Sequence, residues 1–333
     1  MKNITTIILA SVLCLQSCAQ NDKEMNAKTT QILGSLYKEV QHYDQRISYH
    51  ADIFIGGCNF EVLINDFPVQ TYFDAGNGAI STSIPINTAI LKPGTQTWKI
   101  KVYPIHDVKK VNGIDAKVPR NAIEDGARVE IKIEGIRFDK NGDIEKSFGR
   151  VLEFKAPLIK DEKTGKSKLA DAGKNYIEYS GTFEANVPYN LSGWQNSEDL
   201  TKSDPETLKQ ELLKEYQKMS KWLANRNLDS IAQAKLKAKK EEAQALFYNN
   251  SDNHEYISDF LEMWGHEKIT MQPIDNCSLK FYGNGKIVTL TSTVFKESPL
   301  WATYKDDKNE DNYLVYNIYL HRPKGKKELE IIR

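Results

Sequence analysis

The chain has 333 residues, of which 40% are hydrophobic and 27% charged, and its 45 basic residues balance 45 acidic ones. This length is enough for two ordinary domains with sizeable cores. The balanced charge argues against a nucleic-acid partner, because binding to the phosphate backbone needs a concentrated basic surface. No apolar run approaches the roughly 20 residues of a membrane-spanning helix. We therefore expect a folded chain that does not cross a membrane.

The N-terminus carries a short apolar run, from Ile4 to Leu15, behind Lys2. Its position and length are those of a secretory signal, because the run is too short to span a bilayer. The run ends in Leu15-Gln-Ser-Cys18, which resembles the lipobox of bacterial lipoproteins. This resemblance implies a signal peptide over residues 1–17, cleavage before Cys18 and a diacylglycerol on the Cys18 sulfur.

The same resemblance implies where the mature chain lies. One acyl chain holds a protein on a membrane only marginally, whereas two or three hold it firmly. The polar segment Gln20-Asn-Asp-Lys-Glu24 resembles the export signal of surface lipoproteins in the Bacteroidota phylum. We therefore expect a cell-envelope protein that is anchored to the outer membrane through Cys18 and is either periplasmic or surface-exposed.

Residues 18–46 are typical of a tether that runs into a short helix, because apolar residues between Ile32 and Val40 recur at helical spacing. The next region alternates apolar with polar residues in short segments, as strands with one buried face do. These segments are Ile47–Ile55, Cys58–Ile64, Phe67–Phe73, Gln96–Tyr103, Arg128–Phe138, Phe148–Phe154 and Tyr176–Phe183. Tight-turn residues punctuate them, so we predict an antiparallel β-sandwich domain over residues 47–189.

Part of this region resembles a known class of accessory domain. The stretches Phe60–Val69 and Pro85–Val102 resemble the accessory jelly-roll domains of glycosidases, over residues 58–102. The resemblance implies a sandwich fold and carries no sugar ligands with it.

The strand pattern stops over residues 190–203, a polar stretch that we interpret as a linker. Ser203-Asp-Pro-Glu206 then predicts a helix start, with serine as the cap and proline in the first turn. Three amphipathic helices precede a return to strand alternation, and this order predicts an α+β domain over residues 204–333. The element order resembles the nuclear transport factor family, in which a curved sheet wraps a long helix. The whole chain is thus predicted to be a multi-domain protein, with an N-terminal antiparallel β-sandwich followed by an α+β domain.

Linear motifs for catalysis are missing from the sequence. His254-Glu-Tyr-Ile-Ser258 begins like a zinc-protease helix, but serine stands where the second ligand must be. The six histidines are scattered singly. Since Cys14 leaves with the signal and Cys18 is lipidated, only Cys58 and Cys277 remain, and we expect two buried free thiols. We therefore expect no cofactor and no metal, and a binding protein in preference to an enzyme.

Aromatic residues concentrate in the C-terminal region, where Asn312 to Leu320 is predicted to be one strand. Its even-numbered residues are the more apolar and predict the buried face, which leaves Tyr313 and Tyr319 on the outer face. Together with Trp301 and Tyr304, these tyrosines form the candidate binding surface. The alternative is that they only complete cross-strand pairs of a sheet.

The sequence therefore predicts a non-enzymatic lipoprotein of the cell envelope that binds a protein partner. One version is an immunity-type protein that neutralises a toxin. Two alternatives stay open: a surface lipoprotein that binds a glycan, and an enzyme that processes envelope polysaccharide with catalytic carboxylates from separate strands.

Overall fold

The computed structural model describes residues 27–74, 78–111, 114–139, 141, 143–162 and 164–333. The predicted signal peptide and the predicted lipidation site Cys18 lie outside these residues. The described chain is mostly antiparallel β-sheet, with a group of three long helices in its later part.

The N-terminal half contains a short helix, α1, described over residues 27–33, and then strands. The strands are β1 Arg46–Gly56, β2 Asn59–Ile64, β3 Phe67–Tyr72, β4 Ala79–Pro85, β5 Gly94–Tyr103, β6 His106–Val111, β7 Ile114–Pro119, β8 Arg128–Phe138, β9 Ile144–Lys155, β10 Leu158–Lys160, β11 Ser167–Leu169 and β12 Ile177–Ala185. Short 3-10 helices lie at Leu36–Glu39 and Asn87–Ala89.

The C-terminal half begins with a 3-10 helix at Leu200–Lys202. The helices are α2 Pro205–Ala224, α3 Leu228–Ala245 and α4 Asn250–Trp264. The strands that follow are β13 Thr270–Met271, β14 Cys277–Tyr282, β15 Ile287–Ser292, β16 Trp301–Lys305, β17 Asp311–Val315, β18 Leu320–His321 and β19 Glu330–Ile331.

Two four-stranded antiparallel sheets share the first core. Their strand orders are β4-β1-β8-β9 and β12-β5-β2-β3. Burial alternates along β1 and β8, because successive side chains point to opposite faces of a sheet. Ile53 and Ile131 from the first sheet and Val62 and Ile100 from the second belong to one buried apolar cluster.

The second core lies between the helices and two smaller sheets, with orders β13-β16-β17 and β14-β15-β18-β19. Every third or fourth residue of α2 is buried in it, from Leu208 to Leu223. The N-terminal segment joins this core through Leu33 and Leu36. The backbone N–H of Tyr37 also donates to Asn253 Oδ1 of α4 at 2.9 Å. Part of the predicted tether region is thus docked on the helices.

Two tight turns bring the halves together. Asn65 and Asp66 join β2 to β3 with φ angles of 51° and 58°, the left-handed pair that a two-residue hairpin turn requires. The turn between β14 and β15 packs against it: Gly283 N–H donates to Asp66 O and Asn284 N–H donates to Asp66 Oδ2, both at 2.8 Å. The two sheets therefore meet end to end at these turns.

The predicted linker, residues 190–203, packs closely. Leu191, Trp194 and Leu200 are buried, and the backbone N–H of Leu200 donates to Gly285 O at 2.8 Å. Apolar side chains at these positions hold the segment against both cores. The division of the chain into separate domains stays a prediction.

Two local predictions were wrong in detail. The predicted strand Asn312–Leu320 is two strands in different sheets, β17 and β18, because the chain leaves the first sheet after Val315. Tyr316 is nonetheless fully buried, as its even position predicted. Helix α2 is capped by Asp204, whose side chain accepts from Thr207 N–H, and not by Ser203. Pro205 at the first helical position places the cap one residue later than predicted.

Candidate functional site

A cleft runs between the two halves, and its floor is built from β2, β14 and β15. A cavity of about 200 Å³ lies there. Its lining comes from both halves of the chain: Glu61, Thr71, Phe73, Lys280, Tyr282, Thr289, Leu290, Thr291, Lys296, Glu297, Ser298, Val315, Asn317 and Tyr319. Boundaries between packed units are common places for ligand sites.

Glu61 is the buried centre of the floor. Its side chain is fully buried, although β2 is otherwise an apolar strand apart from Asn59. Tyr282 donates to Glu61 Oε1 at 2.6 Å, Tyr103 donates to Glu61 Oε2 at 3.0 Å, and Lys280 Nζ also donates to Oε1. A buried carboxylate is costly unless it is paired and hydrogen-bonded, and here it is both.

These partners determine the protonation of Glu61. Burial alone raises its pKa, but the charge and hydrogen bond of Lys280 and the hydrogen bond of Tyr282 outweigh burial and hold the pKa below its ordinary value. Burial and the neighbouring Glu61 charge raise the pKa of Tyr103 and of Tyr282. At neutral pH Glu61 is thus a carboxylate, and the two tyrosines beside it are neutral hydroxyls.

A second, larger cavity of about 570 Å³ adjoins the first. Phe73, Lys280, Thr291 and Lys296 line both cavities. The Lys280 ammonium lies 5.3 Å from the centroid of the Phe73 ring, within range of a cation–π contact. These four residues form the ridge between the cavities.

His106 lies in the wall of the larger cavity and is 3% exposed. Its ring stacks on Phe73 with centroids 6.1 Å apart. Burial first, and then the charges of Lys296 and Lys117, lower its pKa to about 4. His106 is therefore neutral at pH 7, and within the described part of the chain its buried Nδ1 has no hydrogen-bond partner.

Lys117 ties the β6–β7 hairpin to the loop after β15. Its Nζ donates to Phe73 O at 2.6 Å and to Glu297 Oε1 at 3.1 Å. Its backbone N–H donates to Val294 O at 3.2 Å. The loop that carries Lys296 and Glu297 is therefore supported from the N-terminal half.

The rim of the cleft carries an aromatic patch, defined here as Phe295, Trp301 and Tyr313. It lines a third cavity, of about 230 Å³, which shares Glu297, Ser298 and Val315 with the first. Phe295 and Trp301 pack edge to face with centroids 5.8 Å apart. Tyr313 is 65% exposed. The patch thus opens to solvent next to a polar floor.

The four residues of the predicted binding surface do not lie together. Trp301 and Tyr313 belong to the aromatic patch. Tyr319 lies in the floor, with its ring centroid 5.1 Å from that of Phe67, and lines the first cavity. Tyr304 packs against His266 with the rings tilted by 56° and their centroids 4.2 Å apart, and it lines none of these cavities.

Sequence reasoning missed Glu61, Lys280, Tyr282 and His106. One signal was available, because a single glutamate interrupts the apolar run Phe60-Glu-Val-Leu-Ile64. A lone charged residue inside such a strand needs a buried partner. That Lys280 supplies it, 219 residues later, follows from the tertiary structure alone.

The described ranges show neither a cluster of metal ligands nor a membrane-spanning helix. Within them, no group of three or more His, Cys, Asp and Glu side chains is arranged to hold a metal ion. Cys58 and Cys277 are buried and unbonded to each other. No helix in the described part of the chain combines the length and apolar character needed to cross a membrane.

The pairing of charges in the cleft limits its chemistry. A general acid or base works best with a pKa near the working pH. In the cleft, the resolved shifts lower the pKa of Glu61 and His106 and raise that of Tyr103, Tyr282 and Tyr319. The shifts move the pKa values of all five groups away from neutral pH, which suits a fixed polar binding surface.

Comparisons with protein-family models, curated proteins and solved structures found no match to this chain.

Proposed function

We propose that this chain is a non-catalytic binding lipoprotein of the cell envelope, anchored to the outer membrane through Cys18. Its partner is a protein that docks on the aromatic patch and reaches into the cleft. The observation that carries the proposal is the 65% exposed Tyr313 beside Trp301 on the rim of a cleft with a rigid floor.

The architecture proposed for this function has two units. The sheets β4-β1-β8-β9 and β12-β5-β2-β3 form a β-sandwich, and α2–α4 with the later sheets form an α+β unit. One apolar cluster combines residues of both sheets, which supports the sandwich. The cleft between the units is then the place where a partner contacts both.

Tyrosine and tryptophan favour a protein partner, because they supply large contact areas with few rotatable bonds and dominate binding energies at protein interfaces. Trp301 is held by its contact with Phe295, so little side-chain entropy remains to be lost on binding. Neutralising a toxin is one form that this function takes in our proposal. A glycan could stack on the same rings, and a glycan array distinguishes a glycan partner from a protein partner.

The test compares single-residue variants of the lipidated chain, extracted from membranes in detergent. Tyr313→Ala removes the exposed ring, and Phe54→Ala is the matched control, since Phe54 is 48% exposed on β1. We expect wild type and Phe54→Ala to retain one envelope protein in equimolar amount, and Tyr313→Ala to lose it. Cys18→Ala should give an uncleaved or soluble species, because the acyl chains on Cys18 are the proposed attachment to the membrane.

Three outcomes would contradict the proposal. Equal capture by Tyr313→Ala and wild type would place the partner elsewhere. Binding on a glycan array that depends on Tyr313, without a protein partner, would favour the glycan alternative. Turnover of an envelope polysaccharide by the purified chain, lost in Glu61→Gln, would establish the enzyme alternative.

A further inference from the structure

Two of the three lysines discussed here lie in ion pairs, and the third, Lys296, does not. Lys280 is matched by Glu61. Lys117 is matched by Glu297 at 3.1 Å and by Asp74 at 3.8 Å. Lys296 Nζ donates only to a backbone carbonyl, that of Thr293, at 2.6 Å, and among the described residues no carboxylate lies within 4.0 Å of it. Lys296, on the ridge between the cavities, is therefore the lysine of this set without a carboxylate at ion-pair distance in the described part of the chain.

The backbone of Lys296 gives a second, independent observation. Its φ angle is 64°, in the left-handed region that glycine adopts without cost and a lysine does not. Strain of this kind is commonly found where a side chain is held for function. Lys296 is half-buried and lies between two cavities, in a loop that Lys117 and Glu297 support.

The surroundings of the ridge suit a small anion. The Lys280 side chain is 27% exposed, and its ammonium group donates one hydrogen bond to Glu61. The other ammonium hydrogens can therefore donate to a ligand. Thr291 lines both cavities and adds a hydroxyl. Tyr319 lines the smaller cavity and adds a second hydroxyl.

We propose that the cleft binds a carboxylate group of its protein partner, an Asp or Glu side chain, held between the ammonium groups of Lys280 and Lys296. This inference rests on the proposed function, because it names the group that a docked protein would place in the cleft. The aromatic patch then contacts the apolar neighbours of that acidic residue. Since both contacts are to charged groups, the binding should weaken as salt rises.

The test titrates the full chain in detergent with acetyl-glutamate methylamide and follows backbone amide shifts by NMR. Acetyl-glutamine methylamide is the neutral probe of the same shape. We expect saturable shifts at Thr291 and Lys296 with the acid only. Methyl galacturonoside, compared with methyl galactoside, supplies the carboxylate on a sugar instead.

Two lysine variants separate binding from folding. In Lys296→Gly the backbone strain is relieved, so the melting temperature should not fall, whereas acid binding should weaken by about tenfold, the worth of one charge-assisted hydrogen bond. Lys268→Gly is the matched control, because Lys268 is exposed and has a φ of 56° but lines none of these cavities. Lys296→Arg should retain binding.

The proposal is overturned by equal shifts with the neutral probe or by unchanged affinity in Lys296→Gly. Binding of the galacturonoside but not of the glutamate probe would overturn the protein source of the carboxylate. If the acid probe does not bind but capture of the envelope protein still depends on Tyr313, the proposed function holds and only the carboxylate contact is wrong. If the acid probe does not bind and capture does not depend on Tyr313, the proposed function is wrong as well.

Discussion

The cleft floor and the helical layer each bury a charged side chain, and they stabilise it in opposite ways. In the floor, Glu61 has a lysine and two tyrosines around its carboxylate. In the helical layer, Lys235 of α3 is 3% exposed, and its Nζ lies 4.7 Å from the centroid of the Trp264 ring. Burial, and then the charge of Lys239, lower the pKa of Lys235 to about 7, against a smaller opposing effect of Glu242.

The difference shows that burial alone does not decide the state of a charged group. Glu61 remains ionised because its partners supply what water supplied in the unfolded chain. Lys235 has an aromatic face in place of a carboxylate at its ammonium, and a cation–π contact replaces only part of the lost hydration. The floor therefore holds its buried charge in a network of ion pair and hydrogen bonds, whereas the helical layer holds an ammonium group whose lost hydration is only partly replaced.

Lys280→Met should disrupt the ion pair in the cleft floor and give the largest change in the free energy of unfolding. It removes the cation from a fully buried carboxylate, so the free energy of unfolding should fall by about 3 to 5 kcal/mol. Denaturant unfolding at pH 7 measures this. The double variant Glu61→Gln with Lys280→Met should recover most of the loss, because it removes the unpaired charge.

The control for this variant is an exposed pair. Lys305 and Asp311 lie 2.8 Å apart with side chains 55% and 83% exposed. Lys305→Met should change the free energy of unfolding by less than about 1 kcal/mol, as is usual for surface pairs. Equal losses for Lys280→Met and Lys305→Met would show that Glu61 does not depend on its partner.

Lys235→Met should have the opposite sign and stabilise the protein. Each pKa unit corresponds to about 1.4 kcal/mol, and after loss of the ring contact we expect a gain of about 3 kcal/mol at pH 6. The ordinary lysine pKa is 10.5 and the folded value is about 7. The cost is thus fully present below pH 7 and declines as pH rises toward 10.5.

Unfolding curves at several pH values measure that decline. Lys237→Met is the control, because Lys237 lies on the same helix and is 57% exposed. It should change stability by less than about 1 kcal/mol at any of these pH values. A loss of stability in Lys235→Met would mean that the ammonium has a stabilising partner.

His106→Phe should give the smallest change and test the wall of the cleft. The unfolded histidine takes up a proton near its ordinary pKa of 6.5, whereas the folded one does so only near 4. The wild type should therefore lose stability as pH falls from 6.5 to 4. The variant should lose about 1 to 2 kcal/mol less over that range, and it retains a ring to stack on Phe73.

Acid unfolding followed by circular dichroism measures this difference. His42→Gln is the control, since His42 is exposed. His321 should contribute a similar acid loss in all variants, because burial, and then Lys237, lower its pKa to about 4 as well. An unchanged acid profile in His106→Phe would mean that the His106 ring is solvated in solution.

Much of the fold could be predicted because strand and helix periods are local. The alternation in Ile47–Ile55 and Arg128–Phe138 located β1 and β8, and apolar spacing located α2. Of the even positions predicted to be buried, Tyr316, Ile318 and Leu320 are buried, whereas Leu314 is half-buried.

The candidate site could not be predicted in the same way. Two of its four predicted residues, Trp301 and Tyr313, lie on the aromatic patch, and Tyr319 lies in the floor, while Tyr304 is elsewhere. The predicted strand through Tyr313 and Tyr319 is broken because its two ends pair in different sheets. Parity along a strand gives a face, but it does not tell where the chain changes sheet.

The sequence by itself determined which residues alternate, where the turns fall and which faces are apolar, because these depend on neighbours within a few positions. Only the tertiary structure decided that β2 meets β14, so that a glutamate at position 61 has its partner at position 280. Strand partners distant along the chain are selected by packing and hydrogen bonding of whole sheets. The charges of the cleft, and therefore any ligand that they recognise, follow from that selection.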